Sequence, residues 1–209
     1  MPNKRIIAID ADGVLLDYHQ AYRQVWKRAF GVLPELADPD AYYPFDRWKV
    51  PRLESVERDH LRACQDETFW SSLPAMGGAL SAAKRLSEAG FDLVCVSALP
   101  LEYQAARLRN LCDLGFPIER VIATPKSSDS DENRSIKADA LAQIGPVAFV
   151  DDYAPYLRGV PPEMHIALIM REPNGSPNVG EDLALAHSTH RDLSEFAQWW
   201  LDQSSVDRA

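Results

Sequence analysis

Short apolar runs and helical stretches alternate along most of the chain. Arg5 to Asp10 reads R-I-I-A-I-D, a nearly continuous apolar run closed by an acid. Such a run predicts a central strand buried on both faces. Phe91 to Val96, followed by Ser97, and Pro146 to Val150, followed by Asp151 and Asp152, have the same form. Arg120 to Ala123 and His165 to Met170 are shorter candidates. Between them, Ala79 to Ala89 has apolar residues at helical spacing and stops at Gly90. Leu101 to Leu114 stops at Gly115, and Ile136 to Ile144 at Gly145. A glycine just past the last periodic residue is a helix stop. Strands alternating with helices predict a parallel α/β sheet.

From about Asp17 to Pro74 the alternation breaks. Gln20 to Phe30 reads as a helix ending at Gly31. The stretch from Pro34 to Pro51 is punctuated by prolines and reads as irregular, and Leu53 to Phe69 as a charged helix. This predicts a small helical insert, residues 17–74, after the first strand of a core formed by 1–16 and 75–209. Arg171 to Gly180 reads as a loop and Asp192 to Asp202 as a last amphipathic helix.

The 209 residues are 46% hydrophobic and 25% charged, which excludes a disordered chain. The net charge of −9 argues against coating a nucleic acid polymer, whose footprint is basic. It leaves room for a small anionic substrate in a locally cationic pocket. No apolar run approaches the roughly 20 residues of a membrane helix. Asp10 and Asp12 interrupt the apolar start, which argues against a signal peptide. The three cysteines are scattered, form no C-x-x-C, and fit a reducing, cytoplasmic setting.

Asp10 and Asp12, Ser97, and Asp151 with Asp152 each follow an apolar strand. Ligands of open α/β sheets bind at the carboxyl ends of strands, so these residues are expected to converge. Asp10, Asp12 and Asp151 offer hard oxygen ligands of the type that holds Mg²⁺, and clustered carboxylates call for a cation. Gly13 permits a tight turn that turns main-chain N–H groups toward an anion. Carboxylates, a hard cation and N–H donors make a phosphoryl-transfer site. Asp10 is a candidate nucleophile and Asp12 a candidate general acid and base. Lys137 and Lys126 are the candidates for a cation facing the phosphate oxygens.

I-A-I-D-A-D-G-V-L-L-D, from Ile7 to Asp17, resembles the first motif of the haloacid dehalogenase-like superfamily. Ser97 closing V-C-V-S resembles the second, Lys137 in S-I-K-A-D-A-L the third, and A-F-V-D-D, ending at Asp152, the acidic fourth. The motifs occur in the family's order and cover most of the chain. The resemblance implies a Rossmann-like three-layer core, its parallel sheet ordered 5-4-1-2-3, with residues 17–74 as a helical cap over the site. It implies Asp10 as the phosphorylated nucleophile and Asp12 as the acid and base. Mg²⁺ would be held by Asp10, the Asp12 main-chain carbonyl and Asp151, with Asp152 close by. Ser97 and Lys137 would hold the phosphate oxygens. Family dehalogenases lack an acid at the place of Asp12, so its presence points to a phosphatase acting on a small phosphorylated metabolite. The opening motif, small cap and double Asp most resemble the 5'-nucleotidase and deoxyribonucleotidase branch. Lys137 is preferred to Lys126 because it opens the helix leading to the fourth strand, as the family lysine does.

Blander roles stand beside these. Asp151 or Asp152 could N-cap a helix expected at Tyr153, and Ser97 could satisfy backbone at a strand end. Most aromatics of the insert are expected to form its core, while some could stack on a nucleobase. His187 and His190 read as surface residues, and one of Trp199 and Trp200 as docking the last helix. A phospho-acceptor signalling or binding module without turnover is the competing function. Receiver modules, however, place their acidic pair near the first strand and carry no helical insert.

Overall fold

The structure, a computed structural model, describes residues 5–125 and 133–206. Strand β1 (Ile6–Ile9) leads into α1 (Tyr18–Phe30), α2 (Pro44–Arg47), α3 (Ser55–Cys64) and α4 (Glu67–Trp70). Then come α5 (Ala79–Glu88), β2 (Asp92–Ser97), α6 (Gln104–Asp113), β3 (Ile118–Ala123), α7 (Ala138–Ile144) and β4 (Ala148–Asp151). The chain ends with β5 (His165–Ile169), β6 (Ser188–His190) and α8 (Leu193–Val206). Lys126 lies outside the described residues. No helix among the described residues is long and apolar enough to cross a membrane.

All strands pair in parallel in the order β3-β2-β1-β4-β5-β6. The expected order 5-4-1-2-3 is therefore extended by a sixth strand beside β5. Ser188-Thr-His190 is too short and polar for an apolar-run criterion to find. It is an edge strand whose pairing, not its side chains, defines it. β1 lies between β2 and β4, and successive residues face opposite layers. Ile7 and Ile9, with Leu93 and Cys95, join one apolar cluster. Ala8, with Val94, Val96 and Phe149, joins a second cluster under Leu141 of α7. The run is apolar throughout because both faces are covered.

The early helices differ from the sequence reading in two places. The four-residue α2 forms inside the proline-punctuated stretch read as irregular, with Pro44 at its first position. The single helix expected over Leu53 to Phe69 is two, broken at Gln65 and Asp66. Asp66 takes an extended backbone and accepts a hydrogen bond from Phe69 N at 3.0 Å, so it starts a new helix. Leu101–Tyr103 is a 3-10 turn before α6, and the expected helix after Tyr153 is a 3-10 turn, Ala154–Leu157. Tyr22, Trp26, Phe69 and Trp70 from α1 and α4 belong to the same apolar cluster as the adjoining face of the sheet.

Candidate active site

Strand register brings the acids together. Ile9 is level with Val150 and with Cys95, so Asp10 falls level with Asp151 at the carboxyl edge. Asp10 N donates to Val150 O at 2.8 Å and fixes this first step out of the sheet. Carboxylate oxygens of Asp10, Asp151 and Asp152 lie within 4.8 Å of one another, and all three residues are buried. Lys137, fully buried at the start of α7, donates to Asp10 Oδ1 at 2.5 Å and to Asp151 Oδ2 at 2.6 Å. Asp151 Oδ1 also accepts from Tyr153 N at 2.9 Å. Asp151 thus caps the following turn and belongs to the acidic cluster at once.

Burial is the largest influence on these acids. It pushes Asp151 and Asp152 above the ordinary carboxylate range, with Lys137 and Arg171 respectively opposing it. The flanking carboxylates of Asp10 and Asp151 raise Lys137 despite its burial. A trio of buried oxygen donors that repel one another matches a hard divalent cation in donor type and in charge. Asp10, Asp151 and Asp152 are the side chains that could hold one.

After Asp10 the chain turns sharply. Gly13 has φ +87°, and a Cβ there would stand 2.1 Å from Asp152 Oδ2. Gly13 N donates to Leu16 O, and the amides of Leu15 and Leu16 to Ala11 O, closing a compact loop. Asp12 lies in it with its side chain one-quarter exposed, toward a cavity of about 350 Å³. Burial raises the Asp12 carboxyl above its usual range, while Arg107 opposes that shift. Ser97 lines the same cavity, and its carbonyl accepts from Thr124 N at 2.9 Å and Thr124 Oγ1 at 3.1 Å.

Two cationic residues of the site were not apparent in the sequence. Arg107, on α6, is fully buried and donates to Asp12 Oδ1 at 2.7 Å. Arg171, just after β5, lines the cavity, with Nη2 3.4 Å from Asp152 Oδ2 and Nη1 2.9 Å from Glu172. Neither sits in a run with a recognisable spacing, and each is recruited by packing. The loop after β5 does more than connect. Buried Asn178 donates to Asp152 O at 2.8 Å and accepts from Ala154 N at 2.7 Å, holding the acidic turn from behind.

The aromatics of residues 17–74 divide. Tyr22, Trp26, Trp48 and Phe69 are buried in the apolar cluster. Tyr18, Tyr42, Tyr43 and Trp70 line the cavity, joined from the core by Tyr153 and Tyr156. Tyr42 OH donates to Asp152 O at 3.4 Å, and its main chain is tied to Asn174. Burial keeps the Tyr18 and Tyr42 hydroxyls protonated and pulls His19 below its ordinary value.

Asp10, Asp12, Ser97, Asp151, Asp152 and Lys137 are therefore all brought to one end of the sheet, although Asp151 and Lys137 do not line the cavity. The expectation for His190 fails. It is buried, packed edge-on against Phe196 and bonded to Ser188 Oγ at 2.8 Å, because β6 places it under α8.

No protein-family model and no curated protein sequence matches the chain. Solved structures do. A haloacid dehalogenase-like hydrolase from Streptococcus pneumoniae superposes with TM-score 0.61 at 13% identity, over 96% of this chain and all of the other. A HAD family hydrolase from Deinococcus radiodurans, with bound phosphate and sodium, gives 0.57 at 15% over 92% and 93%. L-2-haloacid dehalogenase from Xanthobacter autotrophicus, with chloropropionic acid covalently bound, gives 0.53 at 14% over 94% and 98%. At these identities the shared property is the fold: this chain has the haloacid dehalogenase-like α/β architecture over nearly its whole length.

Proposed function

We propose that the protein is a Mg²⁺-dependent phosphatase acting on a small phosphomonoester, with residues 17–74 serving as a cap over the core. The observation that carries this reading is the buried trio Asp10, Asp151 and Asp152 against Lys137, of which Asp10 and Asp152 line a cavity that Asp12 also faces. Asp10 attacks phosphorus through a carboxylate oxygen while the ester P–O bond breaks. Asp12 gives its proton to the departing oxygen. Asp12, now a carboxylate, accepts a proton from water as that water attacks the aspartyl-phosphate. Inorganic phosphate leaves and Asp10 is restored. Lys137 holds Asp10 through its hydrogen bond to Oδ1 and offsets the incoming phosphate charge, with Ser97 beside the phosphoryl oxygens. Asp10, Asp151 and Asp152, with the Asp12 carbonyl, would hold Mg²⁺, which when bound would neutralise charge on the transferred group.

Tyr42, Tyr43, Trp70 and Tyr153 around the cavity support an ester with a flat organic group, such as a nucleotide. The test is turnover of nucleotide, sugar and aryl monophosphates with and without Mg²⁺, using Asp10→Asn as control. Metal-dependent phosphate release, lost in the variant, is expected. Equal turnover by Asp10→Asn would remove the nucleophile assignment. Folded protein with no turnover of any ester would favour a phospho-acceptor or binding role.

A further inference from the structure

Arg107 is an expensive residue with no obvious structural return. Its side chain is completely buried on α6, and among the described residues its one side-chain hydrogen-bond partner is Asp12 Oδ1, at 2.7 Å. Nε and Nη1 are buried without a hydrogen-bond partner among the described residues. A buried guanidinium so poorly satisfied is destabilising on its own account, and an apolar side chain of similar volume serves such a place as well or better. Its position is defined by one more contact: the guanidinium carbon stands 5.1 Å from the centroid of the Trp70 ring. Trp70 ends α4, lines the cavity, and stacks on Tyr18 and on Tyr103, the residue just before α6. Arg107 is thus clamped between the carboxylate of the loop after β1 and an indole of the helical insert.

We propose that Arg107 is a positioning residue that aims Asp12 at the departing oxygen of the substrate, and that Trp70 sets its place. The inference rests on the phosphatase reading above. The main-chain bonds of the loop holding Asp12 leave its carboxyl free to rotate about its side-chain bonds. The hydrogen bond to Arg107 occupies Oδ1 and leaves Oδ2 for the proton that moves to the ester oxygen as the P–O bond breaks and phosphorus passes to Asp10. Misplacing such a group by about 1 Å costs on the order of 100-fold in rate.

The discriminating readout is the leaving group. An alkoxide needs the proton from Asp12, whereas a nitrophenolate departs without one. Benzyl phosphate and para-nitrophenyl phosphate are of similar shape and differ in this respect. kcat/KM, which reports the transfer to Asp10, is to be measured for both with wild type, Arg107→Met, Arg107→Lys and Trp70→Leu. Arg107→Met is expected to lower kcat/KM for benzyl phosphate by about 100-fold and for the nitrophenyl ester only a few-fold. Arg107→Lys, which keeps a donor for Asp12, is expected to recover part of the benzyl activity. Trp70→Leu is expected to show the same selective loss to a smaller degree, and it carries the test with Arg107→Lys if Arg107→Met does not fold. In an Asp12→Asn background, Arg107→Met is expected to add no further selective loss. Parallel loss on both esters in a folded variant, or no loss on either, overturns the proposal while leaving the phosphatase reading standing. Wild-type protein that hydrolyses neither these two esters nor any nucleotide or sugar monophosphate removes the phosphatase reading itself.

Discussion

Gly13 is the position where the site has least room. Its φ of +87° and the 2.1 Å gap between a Cβ and Asp152 Oδ2 both require glycine. Gly13→Ala is expected to cost about 1–2 kcal/mol from backbone strain, with more from displacing Asp152. Urea denaturation measures the first part, and a weakened stabilisation by Mg²⁺ the second. Unchanged stability and an unchanged Mg²⁺ response would show that the loop relaxes freely. At this scale the chemistry was legible where acid and glycine stand together after an apolar run, as at Asp10, Asp12 and Gly13. It was illegible for Arg107, which is one of two basic residues on an amphipathic helix. Nothing in A-A-R-L-R-N distinguishes the buried Arg107 from the exposed Arg109.

At the scale of elements, α4 is a single turn that delivers Phe69 and Trp70 to the apolar cluster and the cavity wall. So short a helix depends on its cap. Asp66 Oδ1 accepts from Phe69 N at 3.0 Å and from Arg28 Nη2 at 2.9 Å. Asp66→Ala is expected to destabilise the protein by about 1 kcal/mol through the lost cap. Arg28→Ala, removing only an exposed ion pair, is expected to cost well under that. Equal losses in the two variants, measured by urea denaturation, would assign the effect to the ion pair. The long helices α1 and α5 were read with ends close to those observed, since periodicity and a terminal glycine specify them locally. The break at Asp66 was not, because a charged stretch with continuous helical spacing hides a capping residue inside it.

Across the whole molecule, the far edge of the sheet sets a pH dependence separate from the acidic site. His165 begins β5, its ring against those of His187, Trp199 and Trp200 and its Nε2 2.9 Å from Ser188 Oγ. Burial, with smaller contributions from His187 and His190, lowers His165 to about 4. Between about pH 6.5 and 4 the unfolded chain therefore binds a proton at His165 that the folded chain refuses. Stability must fall as pH falls through that window. The half-buried ring keeps the effect on the order of 1 kcal/mol rather than the full value of the shift. Asp151 and Asp152, whose values are raised, slope the opposite way. The comparison is thus wild type against His165→Gln, with unfolding followed from pH 7 to pH 4. The variant is expected to lose less stability across the window, and parallel curves would refute the assignment.

The sequence by itself determined what depends on neighbours along the chain. Strands buried on both faces must be apolar throughout, helices must repeat at their own period and stop where a glycine can turn, and carboxyl-edge residues must follow the strands. Those rules placed β1, β2 and β4 and singled out Asp10, Ser97 and Asp151 as residues of one edge. The tertiary structure alone decided what depends on neighbours in space. Pairing made a strand of Ser188–His190 and buried a histidine that reads as surface. Packing chose Arg107 and Arg171 from many basic residues, sent Tyr42 and Trp70 to the cavity, and kept Trp26 in the core. A side chain's partner across the fold leaves no local pattern, because the energy of such a contact depends on distance in space and not on separation in sequence.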